Sequence, residues 1–229
     1  MTISILLHIV STAVLIELLV FADKVSRMYS GLIGLGLKSL RLSVIFFLFS
    51  SIIAILRIFF VTDYEFVVSI ILNVVLLFAL FFFVNGLLKM LGQKKLRLMM
   101  RRRGTPNHSP WVIYLFFACV ILSSKPSILV TLAVIQLPFV LLGIEFTIRH
   151  VGKYYKGKFR TGMRFFAFAL FLIGVRIFLE NIAETLLFSY QNELLNLLGG
   201  LFMLIGFIKI SVKDVELEKL ASMRQNNYK

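Results

Sequence analysis

The segment that decides the fold class is residues 66–91, FVVSIILNVVLLFALFFFVNGLLKML. Its single charged residue, Lys89, lies near its end. About 20 apolar residues in a helix cross about 30 Å of hydrocarbon, so this segment is long enough to span a bilayer. The composition agrees, because 59% of the 229 residues are hydrophobic, 16% are charged, and the mean hydropathy is +0.94. A soluble domain contains about 25% charged residues. The sequence therefore predicts a polytopic membrane protein.

Further apolar runs complete an all-α bundle, for which we predict seven transmembrane helices. Lys125 and Pro126 separate the shortest run from the one that follows it, since a charge beside a helix-breaking proline is typical of a turn. The predicted helices cover about residues 2–22, 42–62, 66–91, 109–124, 127–146, 164–188 and 191–212.

The basic residues predict the orientation of this bundle. Of the 25 lysines and arginines, 22 lie in four segments that fall on one face of a seven-helix bundle, and basic loops stay in the cytoplasm. We therefore expect the N-terminus outside and the C-terminus in the cytoplasm of a multi-pass protein of the cell membrane. The net charge of +14 is then an orientation signal rather than evidence for a nucleic-acid partner. The four segments are residues 23–41, 89–110, 147–164 and 209–229.

One basic segment also indicates contact with the membrane surface. Residues 94–103, KKLRLMMRRR, mix cations with apolar side chains, a composition that binds anionic lipid at the inner leaflet. The alternative is that these cations only set the orientation. The expected partner is thus the lipid bilayer, with anionic lipid at the basic cytoplasmic loops and no nucleic acid. A homo-oligomer or a cytoplasmic protein partner is left open.

Uncommon residues that recur at an offset of 119 indicate an internal duplication. An arginine and a glutamate that recur inside apolar runs are stronger evidence than recurring phenylalanines. The predicted repeat is parallel, because helices 1–3 match helices 5–7 and helix 4 links them, an arrangement that some transporters use. The matched pairs are Arg57 with Arg176, Glu65 with Glu184, Asn73 with Asn192, and Glu17 with Gln136. The chain then divides into residues 1–91, 92–126, 127–212 and a tail, 213–229.

Ionisable residues inside the predicted helices are the candidate site. Each costs about 2.5–3.5 kcal/mol on insertion scales, so such residues usually face the bundle interior and find partners. Two guanidinium groups near the bundle axis would hold a carboxylate or phosphate. The alternative is structural: an ion pair of Arg176 with Glu180, and hydrogen bonds between helices. The candidate ligand-binding residues are Arg57, Arg176, Glu65, Glu180 and Glu184, and the other intramembrane polar residues are Glu17, Gln136 and Asn73.

The motifs of common enzyme classes are missing from the sequence. His8, His108 and His150 lie on separate segments without metal-ligand spacing, and there is no glycine-rich phosphate loop or nucleophile elbow. We therefore expect no catalytic residue, no metal site and no cofactor. The duplication and the recurring polar positions favour a small-solute carrier or solute-binding membrane protein. The alternative is a sensory or regulatory seven-helix module that acts through a cytoplasmic partner.

Overall fold

The computed structural model describes residues 2–59, 65–92, 118, 121–122, 127–151, 155, 157–181 and 189–211. Within them the fold is all-α, without strands, and six helices are long and apolar enough to cross a membrane. The helices are α1 (Thr2–Met28), α2 (Gly31–Phe59), α3 (Glu65–Leu91), α4 (Ile128–Glu145), α5 (Gly157–Asn181) and α6 (Ser189–Ser211), and a π-helical segment, Phe146–Val151, continues α4.

The described helices correspond to six of the seven predicted ones, with some different ends. Helix α1 continues to Met28 and α2 begins at Gly31, so residues predicted as a basic loop are helical. The predicted helix at 109–124 lies outside the described residues, except for Ala118, Ile121 and Leu122, which are helical and pack with the core. The basic segment 94–103 and the tail 213–229 also lie outside them.

The six helices form a closed ring. Each packs against its neighbours in chain order, and α6 packs against α1. The glycine pairs Gly36–Gly86 and Gly162–Gly206 bring the backbones of α2 and α3, and of α5 and α6, close together. Because the ring closes, its interior is enclosed by all six helices.

Contacts between helices give their directions. Helices α1, α3, α4 and α6 run one way, and α2 and α5 run the other way. Helices α1 and α6 are parallel, because His8 lies beside Glu193 near their starts and Tyr29 donates to the Ile210 carbonyl near their ends. Helices α3 and α4 are parallel, because Gln136 donates to Asn73 and, further along, Tyr155 donates to the Met90 carbonyl. The end of the bundle at which α1 begins is called the N-terminal end below.

Most lysines and arginines of the described helices lie at the opposite end, which is called the basic end. Here Arg41 pairs with Asp23, which also pairs with Arg27, and the Lys89 Nζ donates to the Ser39 Oγ over 2.9 Å. This charge asymmetry is the pattern expected of a membrane protein. The cations at this end are Lys24, Arg27, Lys38, Arg41, Lys89, Arg149, Lys158, Arg160, Arg164 and Lys209.

Aromatic side chains fill the half of the bundle nearer the basic end. Phe166 packs edge-on against Phe83, with ring centroids 5.9 Å apart, and also contacts Phe207 at 4.8 Å. Phe159 lies between Tyr29 and Tyr155. Aromatic pairs of this kind stabilise beyond the area they bury. Aromatic side chains therefore form the core of this half, whereas the buried residues His8 and Glu193 lie nearer the N-terminal end.

Candidate functional site

A chain of four polar contacts connects α5, α6 and α1 inside the ring. The Arg176 Nε donates to the Glu180 Oε2 over 3.1 Å, and its Nη1 donates to the Asn196 Oδ1 over 2.7 Å. The Asn196 Nδ2 lies 3.5 Å from the Glu193 Oε2. The same Glu193 oxygen lies 2.8 Å from the His8 Nδ1. We call these five residues the Arg176 network.

Helical spacing positions the members of this network. Arg176 and Glu180 are four residues apart on α5, and Glu193 and Asn196 are three apart on α6, so each pair shares one helix face. His8 lies on the buried face of α1. Because α6 packs between α5 and α1, it carries the contacts from the guanidinium to the imidazole.

Hydroxyl groups from α1 and α2 extend the polar surface. Ser11 and Ser50 are buried, and the Thr12 Oγ1 lies 2.7 Å from the Ser51 Oγ. Thr12 also donates to the His8 carbonyl, which holds its rotamer. Four of the six helices therefore supply polar groups to one region of the interior.

Two cavities adjoin this region, and Arg176, Ser50 and Leu76 line both of them. The first has a volume of about 40 Å³ and also contacts His8 and Asn196. The second has a volume of about 150 Å³. A single water needs roughly 10–15 Å³ on such a measure, so the second cavity has room for a small solute. The other residues that line it are Ser69, Leu72, Asn73, Leu129 and Glu180.

A separate pair of amides joins α3 to α4 beside the second cavity. The Gln136 Nε2 donates to the Asn73 carbonyl over 2.6 Å and lies 3.3 Å from the Asn73 Oδ1. Gln136 is fully buried, and within the described part of the chain its Oε1 has no hydrogen-bond partner. The pair links two helices and places Asn73 on the cavity wall.

The structure brings together only part of the predicted site. Arg176 and Glu180 are in contact, and Asn73 shares a cavity with them. Glu17 lies on the exposed surface of α1, apart from these residues. The side chains of Arg57 and Glu65, and all of Glu184, lie outside what the structure describes.

Sequence reasoning missed three members of the site. Glu193 and Asn196 lie in the first turns of α6 and resemble the polar end of a helix. His8 is recognisable in the sequence as a polar residue within an apolar run, but the sequence does not indicate its partner. The sequence signal was the three-residue spacing of Glu193 and Asn196 at the start of an apolar run. In the described residues, no group of three or more histidine, cysteine, aspartate or glutamate side chains is arranged to hold a metal.

No protein-family model, curated protein or solved structure matches the chain. Its class is therefore defined by the fold and the site. Six apolar helices expose large hydrophobic side chains such as Leu6, Phe49 and Phe171 on the outside of the ring, while charged and amide side chains contact one another inside it. This is the arrangement expected in a bilayer, where the outer surface faces lipid. The chain is a polytopic helical membrane protein.

Proposed function

We propose that this protein is a carrier for a small anion, a carboxylate or a phosphate, and that it acts in the cell membrane without a chemical step or cofactor. The observation that supports this most directly is the position of Arg176, which lies between two cavities in the interior of the ring. A guanidinium presents five N–H donors and binds carboxylate or phosphate through two of them at once. Among the described residues, Glu180 and Asn196 engage two of the five.

A repeated set of contacts supports the carrier hypothesis. Gly31 and Gly157 both begin a helix with a φ of 64°, and each follows a tyrosine two residues earlier. As described above, Tyr29 and Tyr155 donate to the carbonyls of Ile210 and Met90. We infer a parallel duplication in which α1–α3 match α4–α6, an arrangement found in transporters.

The register of this duplication differs from the predicted offset of 119. Tyr155 and Gly157 lie 126 residues after Tyr29 and Gly31. In that register Ser50, not Arg57, corresponds to Arg176, and both line the two cavities. One arginine rather than two then provides the cation of the site.

The duplication also implies seven crossings. Because α3 and α4 run in the same direction, Leu91 and Ile128 lie at opposite ends of the bundle, and one further crossing between residues 92 and 127 would connect them. With the basic end in the cytoplasm, the N-terminus lies outside.

Reporter fusions test this topology. A reporter that is active only outside the cell should work when it is fused after Tyr64, Lys125 or Tyr190. The first two positions precede α3 and α4, and Tyr190 lies in the first turn of α6, so all three are at the N-terminal end. It should be silent after Gly104, Gly157 or Lys229. Activity at Gly104 would contradict the orientation, since residues 94–103 carry the densest group of cations.

Thermal unfolding of the purified protein tests the solute site. Acetate and phosphate serve as separate probes, and choline chloride serves as the cation control. An anion at about one hundred times its Kd stabilises a protein by about 2.7 kcal/mol, which raises the Tm of a chain of this size by roughly 5–10 °C. We expect such a rise with acetate or phosphate in the wild type, and none in Arg176→Gln.

Arg41→Gln is the matched control, because Arg41 also pairs with a carboxylate but lies at the basic end, away from both cavities. It should keep the response to the anion. A response to choline alone, or a full response in Arg176→Gln, would contradict the proposal. Uptake of the labelled anion into proteoliposomes then separates a carrier from a receptor, since a sensory module would bind the anion without transporting it.

A further inference from the structure

We propose that His8 and Glu193 form a proton-binding site that is linked to anion binding at Arg176. This inference rests on the proposed function, because it assigns a coupling ion to the same site. It concerns two residues on different helices, α1 and α6, whose side chains meet inside the ring.

The geometry of the pair suits the exchange of a single proton. The His8 Nδ1 and the Glu193 Oε2 are 2.8 Å apart, which is hydrogen-bond distance. The two side chains are only 9% and 10% exposed. His8 lines the cavity that Arg176 also lines, so the pair and the proposed solute site adjoin the same interior space.

Polar contacts join this pair to the anion site. Asn196 contacts the Glu193 carboxylate with its nitrogen and accepts from the Arg176 guanidinium with its oxygen. Any change in the charge of Glu193 is therefore felt at Arg176 through one intervening amide. Charges at His8 and Glu193 interact strongly with their neighbours, because these two side chains are buried and little water screens them.

The charge balance among the described residues of the site favours the uptake of a proton when an anion binds. With His8 neutral, the network contains one cation, Arg176, and two anions, Glu180 and Glu193. The described side chains of α2 at this level, Ser50 and Ser51, are uncharged. An added anion would raise the excess of negative charge. At this distance the neutral His8 donates its Nδ1–H to the Glu193 carboxylate, so an added proton from the solvent binds at the Nε2. The resulting imidazolium–carboxylate pair is neutral overall, which offsets that charge.

Linkage makes this coupling reciprocal. If the anion favours proton uptake at the pair, the proton favours anion binding by the same factor. For one proton, the affinity for the anion falls by up to about tenfold per pH unit once the pair is deprotonated. The carrier would thus move an anion together with a proton, and a proton gradient would drive it.

Infrared difference spectra of the full-length protein in lipid, without any added anion, test the proton site. Between about pH 5 and pH 9, which includes the range where histidine titrates, the wild type should show a titration step in carboxyl or imidazole bands. Both Glu193→Gln and His8→Gln should reduce it to the part that His108 and His150 contribute in the wild type and the variants alike. Glu17→Gln is the matched control, because Glu17 is a glutamate on the exposed surface of α1, and it should leave the step unchanged.

A spectrum that is the same in the wild type and in both variants would overturn the proton site. A step that is as large in His8→Gln as in the wild type would show that His8 takes no part, and would also overturn the pair. If Glu193→Gln does not accumulate, the titration step of His8→Gln alone is compared with that of the wild type.

Acetate binding measured by thermal unfolding between about pH 6 and pH 9, where acetate stays ionised, tests the link. Its affinity should fall by up to about tenfold per pH unit in the wild type and stay constant in Glu193→Gln. Acetate binding that is independent of pH in the wild type overturns this inference and leaves the proposed function intact. An intact titration step without any response to acetate or phosphate overturns the link and the proposed function together.

Discussion

Replacing Gly162 by alanine should destabilise the bundle. A Cβ at this position would lie 2.6 Å from the backbone oxygen of Gly206 and 2.6 Å from the Ile210 Cγ1. Since a backbone oxygen cannot rotate away, α5 and α6 must separate. Overpacking of this kind costs roughly 1–3 kcal/mol or more, which exceeds the gain of about 1 kcal/mol from the higher helix propensity of alanine. Thermal unfolding in detergent measures the loss.

Gly199→Ala is the matched control for this prediction. It makes the same change on α6, but there the nearest atoms would lie 3.6 Å and 3.7 Å from the new Cβ, which is ordinary van der Waals contact. Its stability should be unchanged or higher by up to about 1 kcal/mol. Equal melting temperatures for Gly162→Ala and Gly199→Ala would contradict the close approach of α5 and α6.

The sequence predicted the number and placement of the described helices better than their ends. Apolar runs identify the part of a helix that lies in hydrocarbon, and this located all six described helices. Residues such as Lys24, Arg27 and Lys38 reduce the hydropathy and suggested a loop, yet they lie in α1 and α2. Long cationic side chains reach the headgroup region from a continuing helix, so charge does not mark the end of the helix.

The candidate site was predicted only where one helix determined the geometry. Arg176 and Glu180 are paired by their spacing of four residues on α5. His8 and Glu193 are 185 positions apart in the chain, and their contact depends on the packing of α1 against α6, which no local pattern encodes. The exposed position of Glu17 could not be predicted for a related reason. A helix that is apolar on nearly all faces does not show which face is buried.

Arg176→Gln is expected to have the largest effect on function. The change in thermal stability of this variant distinguishes an arginine that binds a ligand from one that only stabilises the fold. The Arg176 side chain is 13% exposed, but that of Glu180 is 32% exposed and reaches the edge of the bundle. An ion pair with one partner so accessible to solvent stabilises the fold by about 0.2–1 kcal/mol. A fully buried pair would instead cost about 3–5 kcal/mol to break. We therefore expect Arg176→Gln to insert and accumulate with a modest loss of stability.

The central claim is that Arg176 is held between the cavities to bind an anion and not to lock α5 through Glu180. The most direct measurement is the thermal stability of the wild type, Arg176→Gln, Glu180→Gln and the double variant, in detergent. We predict a coupling of at most about 1 kcal/mol between the two positions, so adding Glu180→Gln should recover little of the loss. A loss of about 3–5 kcal/mol in Arg176→Gln that the double variant largely recovers would show that the pair is structural, and would contradict the account.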